Sequence, residues 1–176
     1  FPKDLQALKT FSKDAGYETS IVDSVIRVNY KQRHLFADKV INFFEGKSDV
    51  CIAVWGLSFK PGTDDMRESA SIYFVKKIID LGGVVSVYDP KAMENAKDRY
   101  FKGLLGVEYC PNKMNVLDKS DALILLTEWP EFRSPDFNKV GSMLKNKIIF
   151  DGRNQFDKQD MKKNGFEYHQ IGVRLL

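Results

Sequence analysis

Residues 50–56 read Val50-Cys51-Ile52-Ala53-Val54-Trp55-Gly56, six apolar residues in a row closed by a glycine. A half-wet strand alternates apolar and polar residues, whereas an unbroken apolar run predicts a strand buried on both faces. Downstream of it the chain alternates strand and helix. A helical pattern at Ser69–Leu81 ends at Gly82-Gly83, and Val84–Tyr88 follows as a strand closed by Asp89-Pro90. Met93–Phe101 reads as helix, Val107–Cys110 as a short strand, Met114–Leu117 as a helical turn and Ala122–Leu126 as the most apolar strand. Asp136–Leu144 reads as helix, Lys147–Phe150 as strand, Lys158–Asn164 as helix and Phe166–Ile171 as the last strand. Six strands in this rhythm predict an α/β fold, a Rossmann-like doubly wound parallel sheet with helices on both faces.

Upstream the pattern differs. Leu5, Leu8 and Phe11 recur at three-residue spacing, Asp4 stands where a first-turn acid or N-cap would, and Gly16 breaks the helix. A longer helical pattern runs from about Thr19 to Glu45, with Gly46 just past its end. About 26 residues of helix span roughly 39 Å. Its apolar positions wander around the axis, as in helices that connect domains, form a dimer seam, or both. The chain is therefore divided into a helical segment at 1–46, connecting or dimer-forming, and a sheet domain at 47–176.

At 176 residues the chain can bury one sizeable core. A net charge of +3 gives no electrostatic reason to expect nucleic acid. No apolar stretch approaches the roughly 20 residues of a membrane span. Cys51 and Cys110 lack metal-ligand spacing and read as small core residues. His34 and His169 have no partner pattern and read as structural or surface histidines, and no metal cluster or nucleophile elbow is visible. A cytoplasmic location is the default. The absence of an initial Met suggests a fragment, although a processed terminus would look the same.

In a doubly wound sheet, ligands bind beyond the carboxyl ends of the strands. The loop after the first strand, Gly56 to Ser69, is too long for a routine turn and lacks the G-x-G-x-x-G spacing, so a dinucleotide fingerprint is absent. It offers Phe59 beside Lys60, a ring to stack on a base or sugar next to an ammonium for phosphate, and Arg67. Phe59 also fits a core position, and Arg67 also fits a surface salt bridge with Glu68. After Phe150, the run Asp151-Gly152-Arg153-Asn154 sends Arg153 out at the same sheet edge, where it reads either as an anion contact shared with Lys60 or as a solvated turn residue.

Five segments, Phe1-Pro2-Lys3-Asp4, the whole 56–69 run, Tyr88-Asp89-Pro90, Thr127-Glu128-Trp129 and Asp151-Gly152-Arg153-Asn154, together resemble the UDP-glucose/GDP-mannose dehydrogenase family in order and spacing. The resemblance covers essentially the whole chain, and Thr127-Glu128-Trp129-Pro130-Glu131-Phe132 is most similar to the UDP-glucose branch. It implies oxidation of a sugar C6 alcohol to a carboxylate in two NAD-linked hydride transfers, through a thioester on a cysteine that would lie one position ahead of Phe1. It assigns Asp4 to the catalytic water, Lys3 and Arg67 to the NAD cofactor, and Phe59, Lys60 and Arg153 to the nucleotide sugar. It further implies a homodimer through the long helix, with 1–46 as the central helical, dimerisation segment, NAD held mainly by a preceding domain, and a piece that is inactive alone. The other readings are the GDP-mannose or UDP-N-acetylmannosamine branch, or a non-catalytic binding and dimerisation module.

Overall fold

The apolar run becomes strand β1 (Cys51–Trp55), in which Ile52 to Trp55 are all fully buried. It lies third in a six-stranded parallel sheet, with β2 (Val84–Tyr88) and β3 (Val107–Tyr109) on one side. On the other side stand β4 (Ala122–Leu125), β5 (Ile148–Asp151) and β6 (Glu167–Gln170), giving the order β3-β2-β1-β4-β5-β6. The order reverses between β1 and β4, which is the switch point of a doubly wound sheet. The computed structural model describes residues 2–47 and 49–173. Phe1, in the first of the resembling segments, and Ser48, at the expected segment junction, lie outside the described residues.

Alternation along the strands divides the interior into two cores. Ile52, Val54, Val85, Ile124 and Phe150 face one side, and Ala53, Trp55, Leu123, Leu125 and Ile149 face the other. On the second side Trp55 stacks on Phe132 with centroids 5.1 Å apart, and its Nε1–H donates to the Lys113 carbonyl at 2.7 Å.

Helix α1 (Pro2–Asp14) carries Asp4 in its first turn and buries no residue, and it extends three residues beyond the apolar pattern at each end. Helix α2 (Ser20–Phe43) has 24 residues, about 36 Å. It buries only Phe36, Ala37 and Val40, which join the first core. The first half of α2 leaves Ile21, Val25 and Val28 exposed. Helix α3 (Ala70–Asp80) is capped by the Ser69 hydroxyl, α5 (Phe137–Met143) by Asp136 and α6 (Lys158–Lys163) by Asp157. Caps of this kind contribute about 1 kcal/mol each.

Residues 93–101 depart from a regular helix. A three-residue helix α4 (Met93–Asn95) runs into a π-turn at Ala96–Tyr100, in which the Phe101 N–H reaches back five residues to the Ala96 carbonyl at 2.7 Å. The wider turn allows Ala96 and Phe101 both to be buried.

Candidate functional site

The loop from Gly56 to Ser69 is built around a buried carboxylate. Asp89 leaves the end of β2, and its Oδ2 accepts from Leu57 N (2.7 Å), Ser58 N (2.9 Å), Ser58 Oγ (3.0 Å) and Trp129 Nε1 (3.0 Å). Its Oδ1 accepts from the Lys91 and Ala92 amides at 2.9 and 2.8 Å. A buried carboxylate is tolerable only with its lone pairs filled in this way. Thr127 closes the same network by donating to the Ser58 carbonyl. Gly56 lies at φ +93°, and a Cβ there would stand 2.5 Å from the Thr127 Cβ. The peptide N–H groups at the mouth of β1, which a dinucleotide diphosphate would need, are thus already spent on Asp89.

The rest of the loop is pinned from several directions. The Phe59 N–H donates to the Asp65 carbonyl at 2.8 Å, and the Ser69 and Ser71 hydroxyls both donate to the Leu57 carbonyl. Glu68 sits at φ +60°, a conformation that costs a residue with a Cβ about 1–2 kcal/mol.

The turn after β5 repeats the device. Asp151 is fully buried; its Oδ1 accepts from Arg153 N, and its Oδ2 from Gln155 N, Phe156 N and the Tyr168 hydroxyl at 2.7 Å. Burial and this carboxylate push the Tyr168 hydroxyl well above the ordinary tyrosine range. A Cβ on Gly152 would stand 2.8 Å from the Leu125 carbonyl and 3.1 Å from the Phe36 ring, so α2 approaches closely here. Asn154, at φ +51°, clamps Ile171 through both atoms of its amide.

Between these two loops, β4 and helices α1 and α2 lies a cleft of about 640 Å³. Its walls include Pro2, Leu5 and Gln6 from α1, Asn29, Tyr30, Arg33 and His34 from α2, and Phe59, Glu68 and Tyr73 from the β1–α3 side. Leu126, Gly152, Arg153 and Ile171 also line it. Arg153 donates through Nε to the Leu126 carbonyl at 2.8 Å and through Nη2 to the Phe59 carbonyl at 3.2 Å. The ring of His34 is flanked by Tyr30 and Tyr73, with centroids 4.1 and 3.9 Å away.

Of the residues singled out in the sequence, Phe59 and Arg153 therefore meet in the cleft. Lys60 does not line it; the residue is exposed beside Phe59. Lys3 and Asp4 are exposed on the first turn of α1, while their neighbours Pro2 and Leu5 line the cleft. Arg67 forms an ion pair with Asp65 rather than Glu68, through Nε at 3.0 Å and Nη2 at 2.7 Å. These hydrogen bonds hold the Asp65 carboxyl at about 2, with a smaller contribution from Lys3. The two residues assigned to the cofactor thus share one acidic neighbour.

Cys51 and Cys110 are half-buried, and burial raises the Cys110 thiol above its ordinary range. Among the described residues no group of three His, Cys, Asp or Glu converges as a metal site. The roles of Asp89, Glu128, Arg33 and Glu68 are not legible in the sequence, because each has a decisive partner far along the chain: Ser58 is 31 positions from Asp89, Arg33 is 35 from Glu68, and Arg153 is 25 from Glu128. Glu68, Asp89 and Glu128 fall within the resembling segments, whereas nothing in the sequence singles out Arg33.

Residues 53–158 match the UDP-binding domain of the UDP-glucose/GDP-mannose dehydrogenase family. UDP-glucose 6-dehydrogenase TuaD of Bacillus subtilis is 37% identical over 174 residues, covering 98% of this chain and 37% of that protein. The UDP-glucose 6-dehydrogenase of Rhizobium meliloti is 38% identical over 173 residues, covering 98% and 39%. The solved UDP-glucose dehydrogenase of Pyrobaculum islandicum superposes with a TM-score of 0.79 at 28% identity, covering 99% of this chain and 37% of that one. The chain thus spans less than half the length of these relatives. The family match, the sequence identities and the superposition agree, and the chain belongs to the UDP-glucose/GDP-mannose dehydrogenase family.

Proposed function

We propose that this chain is the nucleotide-sugar-binding C-terminal part of a UDP-glucose 6-dehydrogenase, which oxidises UDP-glucose to UDP-glucuronate. In this reading residues 1–46 form the connecting and dimerising segment and residues 47–176 the nucleotide-sugar domain. The observation that carries it is the meeting of Phe59 and Arg153 in one cleft. Arg153 offers its remaining guanidinium hydrogens to the diphosphate, Phe59 packs against the ligand, and Lys60 meets phosphate from the rim. Asp4, exposed on the first turn of α1 beside the cleft-lining Pro2 and Leu5, takes a proton from the water that releases the acid. The cysteine nucleophile of the resemblance precedes Phe1 in this reading.

The loop after β1 does not fit NAD, because Asp89 holds its N–H groups. The cofactor belongs to a preceding domain, with Lys3 and Arg67 as this chain's contacts to it. When bound, it accepts hydride, and two such transfers take an alcohol to a carboxylate. The protein is cytoplasmic in this reading; none of the described helices is long and apolar enough to cross a membrane.

The test is NADH formation by the full-length protein with UDP-glucose, GDP-mannose and UDP-N-acetylmannosamine in parallel. Comparable turnover with either rival overturns the sugar assignment. The exposed apolar residues of α2 favour a second reading, a dimerisation module without catalysis. Turnover by the full-length protein rules that out.

A further inference from the structure

We propose that Arg33 is a positioning residue: its guanidinium clasps Glu68 and so holds the β1–α3 loop in the shape that sets Phe59 in the cleft. This rests on the function proposed above for the cleft. Glu68 separates Arg67, exposed on the outside, from Ser69, buried and capping α3. Its φ of +60° makes that change of direction, and a non-glycine residue stays there only when its surroundings hold it. What holds it comes from α2, 35 positions away: Arg33 Nη1 lies 3.0 Å from both the Glu68 carbonyl and Glu68 Oε2.

An ordinary surface ion pair joins two side chains and contributes little. This one differs in binding the backbone of the strained residue itself, from an arginine that is itself half-buried. Arg33 and Glu68 also line the same cleft as Phe59 and Arg153. The clasp therefore joins the helical segment, which carries Asp4, to the loop that carries Phe59 and Lys60. The entry of that loop is fixed by Asp89 and its exit by Ser69 and Ser71. Without Arg33 the exit keeps its serines and loses the contact that stabilises the turn into them.

The test uses the intact protein with Arg33→Met, Arg33→Lys, Glu68→Gly and the Arg33→Met/Glu68→Gly pair. Arg33→Met should raise the KM for UDP-glucose about tenfold with kcat changed less, and Arg33→Lys should recover part of the loss. Glycine adopts a positive φ unaided, so adding Arg33→Met to Glu68→Gly should change KM by no more than about twofold. Effects that multiply in the pair, or an unchanged KM in Arg33→Met, overturn the proposal. Hydrogen exchange gives a readout independent of turnover: amides 59–69 should exchange about tenfold faster in Arg33→Met while α3 stays protected. Unchanged exchange refutes the clasp even in an enzyme that turns over normally. Failure of the parent protein to oxidise UDP-glucose instead refutes the functional reading, and the exchange result still decides the clasp.

Discussion

Arg153 and Glu128 stand with Nε and Oε2 2.9 Å apart, yet the Nε hydrogen is spent on the Leu126 carbonyl at 2.8 Å. The carboxylate therefore balances the guanidinium charge while the carbonyls of Leu126 and Phe59 fix its plane. Such an arginine is oriented before any ligand arrives, which lowers the ordering cost of binding.

Arg153→Ala should weaken UDP-glucose binding to the full-length protein by roughly 2 kcal/mol, about thirtyfold. The low end of the range for charged pairs applies, because the side chain is still one-third exposed. Calorimetric titration checks this, and an unchanged Kd removes Arg153 from the site.

Asp89→Asn tests the scaffold beneath the site. An amide NH2 cannot accept, so at least one of the donors at Leu57, Ser58, Trp129, Lys91 or Ala92 loses its partner inside the protein. The expected cost is about 3 kcal/mol, a fall in Tm on the order of 10 °C. A Tm within a degree or two of the parent would mean that water or a shifted loop replaces the carboxylate.

Buried parallel strands announce themselves as apolar runs, which made β1 and β4 the plainest, whereas the edge strands β3 and β6 carry polar residues and were legible only from the strand–helix rhythm around them. Serine or aspartate before an apolar pattern marked the helix starts at Ser69 and Asp136. The π-turn at 96–100 was not legible, since one extra residue per turn leaves no mark on so short a pattern. Nor was the choice of Asp65 over Glu68 by Arg67, which depends on Glu68 turning toward α2. The site was half legible: Phe59 and Arg153 converge, while Lys60, adjacent in sequence, lies outside the cleft.

His169 supplies a pH dependence. It stacks on Phe150 at 4.5 Å, touches Phe43 edge-on and faces Glu167 on β6 and Lys39 on α2. Burial lowers its pKa below 6.5, Glu167 opposes this, and Lys39 adds to it. The unfolded chain binds the proton first as pH falls, so this contribution is full above pH 6.5 and is lost between 6.5 and the folded value. Tm should drop between pH 7.5 and 5.5, and His169→Phe should flatten that part of the profile. An equal drop in the variant would assign the slope to other groups.

Asp4→Asn keeps the size and first-turn position of the side chain and removes its basicity. If Asp4 handles the proton of the attacking water, kcat should fall by about 10²-fold or more while the Kd for UDP-glucose stays within about twofold. Stopped-flow NADH formation should then retain a burst, because hydride transfer precedes the slowed step. An unaltered kcat would return Asp4 to a first-turn acid that interacts with the helix dipole.

The exposed face of α2 carries the remaining expectation. Ile21, Val25, Val28 and Leu35, with Gln32 among them, follow the alternating four-and-three spacing of a heptad seam, and the four apolar residues are 81, 41, 61 and 51% exposed. A seam of this kind packs against another helix, and a two-fold pairing of identical copies buries each residue twice. Each aliphatic side chain buried there contributes about 1.5–3 kcal/mol, before the cost of association. A glutamate at Val28 would bring like charges together across the two-fold axis. On the proposal that the intact protein dimerises through this seam, Val28→Glu combined with Ile21→Glu should convert it from dimer to monomer by light scattering, with little change in far-UV circular dichroism, because α2 holds the sheet through Phe36, Ala37 and Val40 instead. A dimer that persists in the double variant would place the interface on another face and leave the α2 seam to a neighbouring domain of the same chain.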